Sequence, residues 1–120
     1  MTPKLPRLVV QAAGDTTVVR FADSKVALDD HTVVLLRDQF VALAEGVGPG
    51  TLLLDFGNVE FLSSRMLGTL ITLCLRLKRT GRHLVVCNVA PVLYEAFDVT
   101  RLTRLLDVRR PGLPQAVRPG

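Results

Sequence analysis

The sequence predicts an α/β protein, a single domain in which a mixed β-sheet is packed with helices. Three observations predict this class. An apolar run at residues 51–56 has the composition of a strand in the centre of a sheet, covered on both faces. A long segment at 67–79 has apolar residues at helical spacing. Strand-like and helix-like stretches alternate around these two, which predicts the order β-β-α-β-α-β-α-β.

The first part of the chain begins with a predicted hairpin. Its strands are residues 8–12 and the β-branched run Thr16–Phe21, and Gly14 and Asp15 form the turn. We expect residues 22–28 to be a connection. A helix follows, because apolar residues recur there at helical spacing, and glycines end it at Gly46 and Gly48. Its predicted core positions are Val33, Leu36, Phe40, Leu43 and Ala44.

The second part predicts two more helices and two more strands. The helix at 67–79 has one polar stripe, which we expect to be its open edge, and Gly81 is its predicted C′ residue. A strand at 84–87, a helix at 91–97 with a proline in its first turn, and a strand at 105–108 follow. The tail at 109–120 is predicted to be partly flexible, with at most one helical turn at 114–117. The polar stripe consists of Arg65, Thr69, Thr72, Arg76 and Arg79.

Length and composition restrict the class of protein. The chain has 120 residues, 48% of them hydrophobic and 22% charged, which is typical of one globular domain. We therefore expect residues 1–120 to form a single domain with a core at about 8–108. We find no secretion signal and no apolar stretch long enough for a membrane span, so we expect a cytoplasmic protein without membrane insertion. Cys74 and Cys87 are predicted to be buried and reduced, and no metal or cofactor is expected.

Charge is distributed unevenly along the chain. Up to Leu62 there are five Lys and Arg against eight Asp and Glu, whereas from Ser63 onward there are ten against three. The basic residues are scattered and lack the interleaved aromatics of a nucleic-acid site, so we expect no nucleic-acid partner. An acidic partner protein and a merely solvated basic surface both remain compatible with this pattern.

Two adjacent serines, Ser63 and Ser64, stand where a strand passes into the long helix. The first N–H groups of a helix lack intrahelical partners, and the helix dipole makes that end partly positive. A serine there is a good cap, and a phosphate on it is also stabilised. Asp29 and Asp30 precede the first helix, where capping explains them better than acid–base catalysis. No catalytic set accompanies them, so we expect a protein that is not an enzyme.

Three segments of the sequence resemble the STAS domain family, and within it the bacterial anti-sigma factor antagonists. Residues 28–32 resemble the family's Leu-Asp-x-x-Thr motif at the start of the first helix. Residues 61–68 resemble its Phe-Met-Asp-Ser-Ser-Gly-Leu-Gly phosphorylation motif. Residues 87–105 resemble its third-helix region, which a proline opens and a Phe-acidic-apolar-Ser/Thr run closes. Their order and spacing together carry the resemblance, which covers about 8–108.

The resemblance implies a phosphorylation switch. Family members bind an anti-sigma factor that is also a serine kinase of the GHKL type, which phosphorylates the antagonist and is thereby released. A phosphoserine phosphatase resets the antagonist. Aligned on the motif, the acceptor is Ser64, with Ser63 as the second choice. The residues expected to contact the partner are Asp29, Asp30, His31, Thr32, Ser63, Ser64, Arg65 and Met66.

This sequence departs from the family motif at three positions. Ser63 replaces the aspartate, Arg65 replaces the following Ser or Thr, and Met66 replaces the glycine. We expect Met66 to lie near the binding surface. Met66 and the loss of the aspartate favour an alternative in which the protein is a constitutive, unphosphorylated STAS interaction subunit, such as an accessory to a transport complex. The retained Ser64 and the stand-alone length favour the switch.

Overall fold

The computed structural model describes residues 5–46 and 50–111, and within them two sheets and three α-helices. The larger sheet has the strand order β1-β2-β4-β6-β7, with β1 antiparallel to β2 and the other pairs parallel, so the predicted mixed sheet is confirmed. Its strands are β1 (Leu8–Ala13), β2 (Thr16–Phe21), β4 (Thr51–Asp55), β6 (His83–Cys87) and β7 (Asp107–Val108).

A second, smaller sheet was not predicted. It pairs β3 (Val26–Leu28) in parallel with β5 (Val59–Leu62). The prediction that 22–28 is only a connection is therefore wrong. A strand of three residues is too short to show the alternation of apolar and polar residues by which strands are recognised. The last strand is also shorter than predicted, because a 3₁₀-helix at Leu102–Arg104 leads into it.

The helices are α1 (Asp30–Gly46), α2 (Ser64–Arg79) and α3 (Pro91–Val99). Their predicted start and stop signals are confirmed where the structure describes them. Pro91 opens α3, and Gly81 after α2 has a positive φ of 72°, a conformation that glycine adopts without strain. Gly48 and the turn predicted at 114–117 lie outside the described residues. No helix in the described parts of the chain is long and apolar enough to cross a membrane.

One hydrophobic core joins the helices to one face of the larger sheet. It contains the predicted apolar positions of α1, except that Leu43 is only partly buried, and Cys74 is among its members. Cys87 is also buried, as predicted. Burial alternates along β4, where Leu52 and Leu54 are buried but Leu53 is only half-buried. The sequence predicted a strand covered on both faces, and the structure shows full cover on the core face but only partial cover on the other.

The exposed face of α2 differs from the predicted polar stripe. Thr69 is buried, and its hydroxyl donates a hydrogen bond to the carbonyl of Arg65 at 3.0 Å. Leu75, by contrast, is 50% exposed. The open face is therefore rotated toward Gly68 and Leu75. A threonine can be buried here because the helix backbone satisfies its hydroxyl.

Candidate functional site

The small sheet places the N-termini of α1 and α2 side by side. Leu28, the last residue of β3, pairs in parallel with Leu62, the last residue of β5. The next residue, Ser63, donates its backbone N–H to the carbonyl of Leu28 at 2.9 Å. Because β3 and β5 are parallel and end together, α1 and α2 both begin at the same edge of the small sheet. Two partly positive helix ends therefore lie together.

Asp29 caps the first of these helices, as the sequence predicts. Its carboxylate oxygen Oδ1 accepts a hydrogen bond from the Thr32 backbone N–H at 2.8 Å. This bond, with a further hydrogen bond from the Thr32 side chain, lowers the pKa of Asp29 below its ordinary value. The next two residues, Asp30 and His31, are exposed at the start of α1. The capping interpretation of Asp29 is therefore confirmed.

The two serines at the start of α2 have different structural roles. Ser63 is the N-cap, with extended φ and ψ of −85° and 164°, and its hydroxyl accepts the Met66 backbone N–H at 3.3 Å. Ser64 is the first helical residue, and its side chain is exposed. Within the described residues, its hydroxyl makes no hydrogen bond. One serine thus completes the helix end, and its neighbour presents a hydroxyl to solvent.

Arg65 adds a positive charge to the start of α2. The first turn of the helix contains no acidic residue, although an acid would be favoured at the positive end of the dipole. The Arg65 side chain is exposed, and among the residues that the structure describes it forms no ion pair. A cation and the unpaired N–H groups of the helix therefore lie together next to the Ser64 hydroxyl.

A groove of about 720 Å³ runs between α1 and α2 and begins at these residues. It brings together three predicted site residues, Asp30, Ser64 and Arg65. Asp29 and Thr32 line a different, smaller cavity on the side of β3. The predicted site residues therefore share one end of the molecule but do not share one cavity. The α1–α2 groove is lined by Asp30, Val33, Val34, Arg37, Asp38, Ser64, Arg65, Gly68, Thr69 and Thr72.

Sequence reasoning missed the contribution of α1 to this groove. Val34, Arg37 and Asp38 are exposed on α1 and face the start of α2. Asp30, Val34 and Asp38 are spaced by four residues, which places them on one helix face. This spacing was visible in the sequence, but only the packing of α1 against α2 shows that the face borders the serines.

Met66 is not at the binding surface, so that prediction is wrong. Its side chain is fully buried and belongs to the hydrophobic core. The residue lies two positions after Ser64, where the helix has turned its side chains toward the sheet. Met66 therefore packs α2 against the core and does not present its side chain at the surface. Phe61 in the same motif is 50% exposed and lies closer to the surface than a core aromatic would.

The chain belongs to the STAS domain family. The model of that family matches residues 7–111, which include all the helices and strands described above. The anti-sigma-factor antagonist (STAS) domain protein from Planctomyces limnophilus is 22% identical, with a TM-score of 0.75 over 88% of this chain and 91% of that one. An anti-sigma factor antagonist from Mycobacterium paratuberculosis is 25% identical, with a TM-score of 0.72 over 93% and 91%.

Two further similarities are to a phosphorylated anti-sigma factor antagonist and to an anion transporter. SpoIIAA from Bacillus, in its phosphorylated form, is 20% identical, with a TM-score of 0.60 over 85% of this chain and 90% of that one. The murine anion transporter Slc26a9 is 18% identical, with a TM-score of 0.63 over 86% of this chain but only 17% of the transporter. The fold therefore occurs both as a separate protein and as a part of a larger one.

Proposed function

We propose that this STAS protein is an anti-sigma factor antagonist that is switched by phosphorylation of Ser64. The observation that supports this best is the contrast between the two serines. Ser63 is engaged as the N-cap of α2, whereas Ser64 presents an exposed hydroxyl beside Arg65. In this proposal the unmodified protein binds an anti-sigma factor of the GHKL serine-kinase type and so frees a sigma factor.

The start of α2 can accept a phosphate without loss of the fold. A phosphoserine has a charge of about −1.5 to −2 near neutral pH. Negative charge in the first turn of a helix stabilises it, and in this proposal the guanidinium of the adjacent Arg65 pairs with phosphate oxygens. The helix already carries a side-chain cap at Ser63, so modification of Ser64 breaks no hydrogen bond of the described structure. The fold persists and its surface changes.

The same phosphate weakens a complex that covers the start of α2. A partner that covers Ser64 would have to desolvate the phosphate or place a like charge against it, and either penalty can reach several kcal/mol. Since about 1.4 kcal/mol corresponds to a tenfold change in affinity, a single phosphate suffices for a loss of about a hundredfold or more. The release step therefore needs no conformational change in the antagonist.

The proposed partner surface consists of the two helix starts and the groove between them. It includes the exposed residues predicted from the sequence, without Met66, and adds Val34, Arg37 and Asp38 from α1. The similarity to antagonists, one of them known in a phosphorylated form, supports both the partner class and the modification. In this proposal the protein is a non-enzymatic regulator of transcription in the cytoplasm, and a phosphoserine phosphatase resets it.

Intact-mass and phosphopeptide analysis tests the proposal. The protein is incubated with ATP and a candidate anti-sigma kinase from the same cell, beside the variants Ser64→Ala and Ser63→Ala. We expect one phosphate on the wild type and on Ser63→Ala, and none on Ser64→Ala. A phosphate that survives Ser64→Ala but not Ser63→Ala would move the acceptor to Ser63. Stable binding without any phosphate transfer would contradict the switch.

The second candidate function is a constitutive STAS docking subunit that is never phosphorylated. Ser63 in place of the family's aspartate favours it, and so does the similarity to a segment of an anion transporter. The variant Ser64→Asp separates the two candidates, since it places a negative charge at the same position. The switch predicts that this variant loses binding to the kinase, whereas the docking subunit keeps its affinity for its partner.

A further inference from the structure

The larger sheet has one short, charged edge strand and one long, uncharged edge strand. At one edge, β7 has two residues, and its Asp107 forms an ion pair with Arg109 at 3.0 Å. At the other edge, β1 has six residues, LVVQAA, which include no charge and no proline and pair with β2 without a register shift. Proteins usually protect an edge strand with a charge, a proline or a bulge, because its unpaired backbone groups otherwise bind another strand. β1 has none of these protections.

The backbone groups of β1 point alternately toward β2 and out of the open edge. The carbonyl of Arg7, directly before the strand, accepts a hydrogen bond from the Ala22 N–H at 2.9 Å. In an antiparallel pair, hydrogen-bonded residues recur at every second position, so positions 9, 11 and 13 also bond to β2. The N–H and carbonyl groups of Leu8, Val10 and Ala12 therefore point out of the sheet. No described residue outside the sheet bonds to them.

An uncharged groove of about 600 Å³ runs along the same strand. Leu8, Val10 and Ala12 line it from β1, and Ala42 and Leu43 line it from α1. None of its lining residues is charged, and Val10 is 49% exposed. A strand that pairs with the open edge of β1 therefore gains backbone hydrogen bonds and also covers apolar side chains.

The two ends of the same chain do not fit this edge. The C-terminal tail at 112–120 follows β7, four strand spacings of about 4.8 Å away from β1. It also contains Pro114 and Pro119, which cannot donate to a strand ladder. Before β1, Leu5 and Pro6 line the cavity beside β3, so the chain approaches β1 from that side. The strand that completes the edge must therefore come from another molecule.

We propose that β1 pairs with β1 of a second copy of this chain, antiparallel, about a two-fold axis at Gln11. Only even-numbered residues of β1 present backbone groups at the edge, so both members of a hydrogen-bonded pair must be even-numbered. With the axis at Gln11, Val10 of each copy lies opposite Ala12 of the other, and the two pairs exchange four hydrogen bonds. Gln11 lies opposite its own counterpart, and a glutamine amide both donates and accepts. Two five-stranded sheets thus become one continuous sheet.

Charges at the two ends of β1 select this partner and this register. Arg7 precedes the strand and Asp15 lies in the turn after it; both side chains are exposed, and neither forms an ion pair among the described residues. With the axis at Gln11, Arg7 of each copy lies beside Asp15 of the other, which gives two ion pairs. An axis at Val10 or at Ala12 would separate these residues. The edge is therefore complementary to itself in charge as well as in hydrogen bonding.

The other charged residues near this edge are compatible with the pairing. The Asp23 carboxylate accepts the Arg7 backbone N–H at 2.9 Å, so an acid already lies beside this arginine. Arg20 of β2 lies opposite Val9, and beyond Val9 the second copy presents the small, uncharged Ala13. No two cations are therefore brought together along the paired strands.

The proposed dimer surface is separate from the phosphorylation site. Val34 and Arg37 line the α1–α2 groove from one side of α1, whereas Gln39 and Ala42 line the β1 groove from the other side. Dimerisation therefore leaves Ser64 of both copies accessible. Because each copy uses the same surface, the contact closes at two copies and no larger assembly forms. The strand is only about 20 Å long, so the interface is small and the dimer is weak.

Sedimentation velocity of the full chain tests the inference with a charge swap. Arg7→Glu and Asp15→Arg each place like charges at both ends of the paired strands and should weaken the dimer about tenfold. The double variant Arg7→Glu/Asp15→Arg and an equimolar mixture of the two single variants each restore two ion pairs, so both should dimerise like the wild type. Ala12→Pro removes an N–H that points out of the edge and breaks no bond to β2. It should fold and stay at the monomer mass of 13.1 kDa.

Controls and contradicting results follow from the same design. Arg104→Glu makes the same charge change as Arg7→Glu at an exposed residue near the opposite edge of the sheet, and it should dimerise like the wild type, as should Ser64→Asp. Thermal melts by circular dichroism verify that each variant is folded. Amide hydrogen exchange at Val10 and Ala12 should slow as the protein concentration rises.

Three results would overturn the inference. The first is a wild type that stays monomeric at about 100 μM, a concentration at which even a small interface of this kind should be populated. The second is an Ala12→Pro variant that is folded and dimerises like the wild type, since the contact would then lie elsewhere. The third is a mixture of Arg7→Glu and Asp15→Arg that dimerises no better than either variant alone.

Discussion

Removing the Ser63 hydroxyl should destabilise the protein, whereas removing the Ser64 hydroxyl should not. Ser63→Ala deletes the side-chain acceptor of the Met66 N–H, and the loss of such a cap costs about 0.5–2 kcal/mol. The bond is 3.3 Å long, at the weak end of hydrogen-bond geometry, so we expect a loss of about 1 kcal/mol. Ser64→Ala loses no hydrogen bond of the described residues and gains helix propensity, so its free energy of unfolding should be equal or slightly higher.

Urea denaturation followed by circular dichroism measures both changes in the free energy of unfolding. In a thermal melt, a loss of about 1 kcal/mol corresponds to a decrease in Tm of about 3–6 °C for a domain of this size. The double variant Ser63→Ala/Ser64→Ala should change the free energy of unfolding by the sum of the two single changes only if the two hydroxyls act independently. Equal destabilisation by Ser63→Ala and Ser64→Ala would refute the division of roles between the two serines, and with it the argument for Ser64 as the free acceptor.

Three further predictions concern other residues. Gly68→Ala should raise the free energy of unfolding by about 0.8–1 kcal/mol, because no atom lies within 4 Å of the added Cβ. Gly50→Ala should prevent stable folding, because its Cβ would meet the Asp15 carbonyl oxygen and its φ is +116°. Urea denaturation compares the two variants. Hydrogen bonds from Arg109 lower the pKa of Asp107. The stabilisation that this pair provides is therefore present above about pH 4 and is lost as the pH falls through the lowered pKa. Asp107→Asn should be less stable than the wild type at pH 7, and thermal melts in acid should show equal stability for the two proteins. Arg65→Glu should stabilise unmodified α2 but reverse the sign of the Tm change that follows phosphorylation, as melts of both forms would show.

The sequence predicted those parts of the fold whose signals are local. The start of α2 is an example, because a serine before an amphipathic segment indicates a cap whatever the rest of the chain does. The same holds for Gly81 and Pro91, whose backbone preferences act at the helix ends where they stand. For these residues local propensity and the final structure agree.

The parts that were missed depend on long-range packing. Strand β3 is recognisable only through its pairing with β5, which lies more than thirty residues away in the chain. The rotation of α2 about its own axis decides that Met66 and Thr69 are buried and that Leu75 is exposed. Helical periodicity alone defines this rotation only to within about one residue. The α1 side of the groove was missed for the same reason.

In the proposed function, a phosphate on Ser64 releases the partner. The most direct measurement is the Kd between a candidate anti-sigma kinase and two preparations of the wild-type protein, one enzymatically phosphorylated and one not, by isothermal titration calorimetry. We expect phosphorylation to weaken binding by about a hundredfold or more, equivalent to about 2.7 kcal/mol or more. We also expect Ser64→Ala to bind like the unmodified protein before and after treatment with ATP. Equal affinity of the phosphorylated and unphosphorylated proteins for the kinase would contradict the proposed release.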